Sequence, residues 1–230
     1  MLAIIGGSGL TQLANLAVER REVVRTPYGE PSGPLIFGRL CDQPAVFIAR
    51  HGYGHTIPPH EVNYRANLWA LKQANASSIV SIASVGGIRA DLGPGTLVIP
   101  HQIIDYTWGR KATFHEGGNA PVVHIDFTQP YDPELRQVLL AAARDAGQGV
   151  VDGGVYAAMQ GPGLETAAEI DRLERDGLVA KAENKEVDTD SSGQIHYRIT
   201  DAGSAEVAGW LGSPVKRSAA TRDELAATLT

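Results

Sequence analysis

Two short apolar runs, Ala45–Ala49 (AVFIA) and Ser78–Ala83, carry aliphatic or branched side chains on both parities. Strands of that kind suit the interior of a sheet covered on both faces. Between them, Val62–Ala74 places Ala66, Leu68, Trp69 and Leu71 at helical spacing. This strand–helix–strand order constrains the chain to an α/β architecture, with a mostly parallel or mixed central sheet flanked by helices. The same alternation extends both ways. Leu2–Ile5 reads as a strand ending at Gly6, followed by a helix-compatible stretch from Leu10. Thr96–Ile99 follows the turn-like Gly93-Pro94-Gly95 and reads as another strand. Pro133–Ala146 is expected to be a helix, with Asp132 as its N-cap and Gly147 beyond its end. Gly154–Ala158 reads as a strand, and Glu165–Asp176 as a helix stopped by Gly177.

Past that glycine the pattern changes. Leu178–Val187 and Gln194–Thr200 read as an antiparallel pair joined by the polar cluster Asp188–Gly193, and two amphipathic helices follow. A doubly wound sheet does not continue that way, so residues 1–177 and 178–230 are expected to be separate units.

Composition removes several classes of function. The net charge is −6, opposite to the basic balance of a general nucleic-acid binder. A single cysteine, Cys41, leaves no internal disulfide and no Cys-rich zinc site, and the cytoplasm is the expected compartment. The N-terminal apolar run stops after four residues, too short for a signal peptide, and no run approaches a membrane span. Glycine, at 26 of 230 residues, exceeds the usual share of roughly 7%, which points to tight turns and close backbone approaches.

Three loops carry the chemistry. Gly6-Gly7-Ser8-Gly9 follows a strand, and successive N–H groups with the Ser8 hydroxyl can donate to an anion. Taken alone, it is equally a plain strand-to-helix turn. Arg50-His51-Gly52 follows AVFIA, where Arg offers a bidentate fork and His a donor beside it; alone, it is equally a surface pair. His55 and His60 lie close by without the carboxylates that a metal site would add. Ala83-Ser84-Val85-Gly86-Gly87 closes the next strand. Three such loops at strand C-termini converge on one polar pocket at a sheet edge, where ligands of open α/β sheets gather. No G-x-S-x-G elbow occurs.

The series GGSGL, TPYGEPSGPL, ARHGYGHTIPPHEVNYRAN, SVGGIRADLGPG, IDYT and QGPGLETAAEI resembles the purine nucleoside phosphorylase family, in its methylthioadenosine and S-methyl-5'-thioinosine phosphorylase branch, over residues 1–177. The resemblance implies a phosphorylase-type mixed sheet and phosphorolysis of an N-glycosidic bond. Phosphate is then a co-substrate, a purine nucleoside the substrate, and neither metal nor organic cofactor is needed. It implies that Ser8, Arg50, His51, Ala83 and Ser84 hold phosphate, that Leu164 lies against the base, and that His124 reaches a neighbour's pocket in a homotrimer. Gly163 stands where the family often has arginine.

Residues 178–230 depart from that family. Its Gly-Met-Thr segment and its later purine-binding Asp or Asn loop are missing. YRITDAG and the W-L-x-x-P run instead resemble the wing and following helix of PadR-type winged-helix regulators. Six basic side chains against eight acidic ones from Leu178 onward argue against nucleic acid as a partner. The expectation is therefore a nucleoside phosphorylase-family protein acting on S-methyl-5'-thioinosine, methylthioadenosine or a related nucleoside, impaired by the missing purine half. The alternative is a non-catalytic binding or regulatory protein with a winged-helix-like tail.

Overall fold

The structure, a computed structural model, describes residues 1–89, 91–118 and 121–174. The expected hairpin, helices and domain boundary beyond Gly177 lie outside the described residues.

Strands β1 (Leu2–Gly6), β2 (Leu16–Glu22), β3 (Leu35–Leu40), β4 (Gln43–Ala49) and β5 (Ser78–Ser81) form a mixed sheet in the order β2-β3-β4-β1-β5. β1 runs parallel to β4 and β5, and β2-β3-β4 is an antiparallel meander. Helix α1 (Tyr64–Gln73) covers one face. There, Ala70 and Leu71 pack with Ala3, Ile5, Leu35, Phe37, Val46 and Ile48. The opposite parity, Ile4, Leu16, Ile36, Ala45 and Phe47, forms a second cluster on the other face. Ala45–Ile48 is thus buried on both sides, as its composition requires.

Two expectations fail in this half. No helix follows Leu10; the chain loops there and enters β2, an edge strand buried only at Leu16. Its charged residues suit solvent exposure in either conformation. In the sheet they occupy an outer edge, where Arg20 lies 3.7 Å over the Phe37 ring and Glu19 pairs with Arg39 at 3.2 Å. β5 is also shorter and wetter than expected, stopping at Ser81 with Ile79 exposed. Among the described residues it pairs only with β1, so no described strand bonds to its outer edge.

β3 turns into β4 through Cys41 and Asp42, both at positive φ (47° and 60°), a two-residue turn whose twist matches its strands. Asn63 caps α1 by accepting from the Ala66 amide at 3.1 Å. Asn67 is the helix's buried polar residue, its amide group bonded to both the main chain and the hydroxyl of Ser32.

The second half carries two parallel pairs. β6 (Val98–Ile99) lies beside β8 (Val151–Asp152), and β7 (Gln102–Asp105) beside β9 (Val155–Ala158). α2 (Pro133–Asp145) begins as expected, with the Asp132 carboxylate accepting from the Leu135 amide at 2.7 Å. Arg136 ties it to the strands through the Pro100 carbonyl at 2.8 Å and the Asp152 carboxylate. α3 (Ala167–Leu173) opens on a Thr166–Glu169 capping box. Among the described residues, no helix is long and apolar enough to cross a membrane.

Candidate anion-binding site

Because β4, β1 and β5 are adjacent and parallel, their C-terminal loops leave the sheet side by side. Sequence order separates these loops by dozens of residues; the parallel register reunites them. The Arg50 amide donates to the Gly6 carbonyl at 3.0 Å, and the Ile82 amide to the Ile5 carbonyl at 2.9 Å, which extends the ladder one step into each loop. The Arg50 guanidinium then turns under the first loop, donating through Nη1 to the Ile82 carbonyl at 2.7 Å. This seat explains Gly7: a Cβ there would fall on the guanidinium and on the Ile82 carbonyl. The Ser84 hydroxyl donates to the Ser8 carbonyl at 3.2 Å, joining the first and third loops.

Ser8, Ala83 and Ser84 are exposed at this edge and Arg50 is half-buried. The Arg50 guanidinium and the Ser8 and Ser84 side chains therefore lie on neighbouring strand-end loops, with the Ser84 hydroxyl proton engaged on Ser8. Arg50 also lines a cavity of about 240 Å³ with Tyr64 and Asn67 of α1 and with Ile5, Ile79 and Ser81 of the strands. His51 is different. It is buried, and its Nδ1 lies 2.8 Å from the Ile57 carbonyl. Burial, and then the neighbouring charge of Arg50 and His55, hold its pKa below the usual imidazole value despite the opposing Ile57 bond. Among the described residues no three His, Cys, Asp or Glu side chains converge as a metal site, and His55 and His60 gain no such partners.

Residues 1–183 match the sequence model of the phosphorylase superfamily. The chain belongs to that superfamily. A probable S-methyl-5'-thioinosine phosphorylase of Xanthomonas campestris is 51% identical over 176 residues, covering 76% of this chain and 70% of the relative. The 6-oxopurine nucleoside phosphorylase of Pyrococcus furiosus is 44% identical over 174 residues, covering 74% of this chain and 64% of the relative. The methylthioadenosine phosphorylase of Schistosoma mansoni in complex with adenine superposes with a TM-score of 0.72 at 34% identity, over 77% of this chain and 72% of that one. The mixed α/β fold is that of these nucleoside phosphorylases.

Two further candidate residues of this superfamily member stand apart from the cluster. Leu164 is 91% exposed, and His124 is exposed in the segment 121–127, which has no regular secondary structure. Neither bonds to the anion-site residues among those described. The loop before Leu164 is instead fixed from below by Arg110, which motif reading missed. Arg110 donates to the carbonyls of Met159 (3.1 Å) and Gln160 (2.6 Å), to the Gln160 side chain (3.2 Å) and to the Tyr64 hydroxyl (3.2 Å). Tyr64 donates in turn to the Pro59 carbonyl at 2.9 Å, and burial raises its pKa. A lone arginine in a polar loop gives no motif signal. Its importance lies in the acceptors that the fold brings to it.

Proposed function

We propose that this chain binds inorganic phosphate at the joined ends of β1, β4 and β5, and that the site is built for phosphorolysis of a purine nucleoside. The substrate is S-methyl-5'-thioinosine, methylthioadenosine or a close relative. Ser8, Arg50, His51, Ala83 and Ser84 hold the phosphate, Leu164 faces the base, and His124 serves a neighbouring protomer in a homotrimer. The observation that carries this reading is the Arg50 guanidinium, seated beneath Gly7 and beside the Ser8–Ser84 contact. It presents a fork of donors that matches a phosphate edge. Similarity to the named phosphorylases supports the same reading.

In the reaction, a phosphate oxygen bonds to the anomeric carbon while the bond from that carbon to the purine nitrogen breaks. The electron pair leaves with the base. Arg50 and the hydroxyls orient the nucleophile, and no cofactor takes part. The leaving purine needs a proton or hydrogen-bond donor, and general-acid help of this kind is typically worth about 10²–10⁴ in rate. Residues 178–230 lack the Gly-Met-Thr segment and the purine-facing Asp or Asn loop. Phosphorolysis by this chain alone is therefore expected to be very weak.

A coupled assay with S-methyl-5'-thioinosine, methylthioadenosine and inosine, run beside a phosphate titration, tests both halves. Phosphate binding with little turnover is the expected result. A turnover rate near that of an intact phosphorylase would overturn the impairment, and absence of phosphate binding would overturn the site.

A further inference from the structure

His51 closes its own loop. The Nδ1–Ile57 carbonyl contact at 2.8 Å is answered by the Ile57 amide, which donates to the His51 carbonyl at 3.1 Å. These two bonds lock the segment 51–57 into a ring. The Ile57 side chain packs inside it: a Cβ on Gly52, which sits at φ +75°, would lie 3.3 Å from Ile57 Cδ1. A carbonyl can only accept, so Nδ1 carries the proton, and the neutral ring presents a bare lone pair at Nε2. A lone pair cannot donate to an anion. Placing a second proton on the ring is opposed by burial and by the positive charge of Arg50, with His55 adding to it 4.8 Å away between ring centroids. The main-chain N–H of His51, in contrast, meets no protein acceptor among the described residues. It follows directly on Arg50, whose amide is fixed on the Gly6 carbonyl.

Resting on the phosphate reading above, we propose that the His51 imidazole is a positioning residue. It clamps loop 51–57 through Ile57 so that the His51 main-chain N–H and the Arg50 guanidinium face the anion, and the ring itself gives no bond to phosphate.

Asparagine and glutamine separate the two nitrogens. His51→Asn keeps a donor near the Nδ1 position, His51→Gln moves it to the Nε2 position, and His51→Ala removes both. Inorganic phosphate is titrated calorimetrically into the full chain and these variants at pH 7.5. The Asn variant should bind within about twofold of the parent, while Gln and Ala weaken binding about tenfold, the loss expected for one neutral hydrogen bond. Retention in Gln with loss in Asn, or parent-like binding by Ala, would each overturn the proposal. If no protein in the series binds phosphate, the phosphate reading fails separately. The clamp is still decided by imidazole nitrogen shifts and by exchange of the Ile57 amide. An Nδ1–H tautomer, with exchange that stays slow in Asn and becomes fast in Gln and Ala, upholds the clamp; an Nε2–H tautomer overturns it.

Discussion

At the scale of single residues, the proposed site depends on one arginine. Arg50 combines a main-chain bond to β1, a side-chain bond to the end of β5, and free capacity for a ligand. Arg50→Ala removes a charge-assisted, bidentate contact, so phosphate affinity should fall by about 1.5–3 kcal/mol, roughly 10- to 150-fold. Arg50→Lys keeps the charge without the fork and should lie between the two. Unchanged phosphate titration in the alanine variant would remove Arg50 from the site. His51 adds a pH signature. Its native pKa lies below that of the unfolded chain, near 6.5. As pH falls through about 6.5, the unfolded state takes up a proton that the native ring refuses, and stability declines until the lower native pKa is reached. Below that value the contribution is lost in full. Urea midpoints between pH 7.5 and 5 should therefore fall more steeply for the parent than for His51→Asn, which has no ring to titrate. Equal slopes would mean that the native ring charges freely.

At the scale of elements, legibility follows burial. β1, β4 and α2 could be read from the sequence because each satisfies its own local rule. β1 and β4 are apolar on both parities, and α2 carries its cap and its proline at the first turn. β2 broke the rule because the charged residues of an edge strand with one buried residue suit solvent exposure in either conformation. β3 reads LIFGRL and is buried along Leu35–Gly38, yet its pairing with β4 rests on a Cys-Asp turn that lacks the usual glycine. Among the residues proposed for the site, the adjacency of the Ser8, Arg50 and Ser84 loops was legible from glycine-bearing turns after apolar runs, since parallel neighbours place such loops at one edge. Arg110, Tyr64 and Asn67 were not. Each acts through acceptors far away in sequence (Arg110 on Met159 and Gln160, Asn67 on Ser32), and no local pattern encodes such a pairing.

At the scale of the whole molecule, the exposed segment around His124 bears on assembly. Val122, Val123, Ile125 and Phe127 are 77, 48, 64 and 65% exposed. Four large apolar side chains within six positions are rarely left to water in a protein that works as a monomer. Asp126 within the run accepts from Thr128 at Oδ1 alone, from both its main-chain N–H and its hydroxyl, which leaves Oδ2 to face solvent or a partner's donor. The proposed homotrimer gives this segment a place, with its apolar residues against a neighbour and His124 directed toward that neighbour's pocket. Sedimentation at micromolar concentration should then show a trimer. Phe127→Glu would place a carboxylate in the contact, where burial of an unpaired charge costs several kcal/mol, and should raise the dissociation constant by at least about 100-fold. Phe127 lies outside the described core clusters, so the protomer's far-ultraviolet spectrum should not change. His124→Ala should leave the trimer intact, because a histidine lent to a pocket contributes to the substrate rather than to the seam. A parent chain that stays monomeric across the whole concentration range would show that this segment is not an assembly surface, and the role proposed for His124 would fall with it.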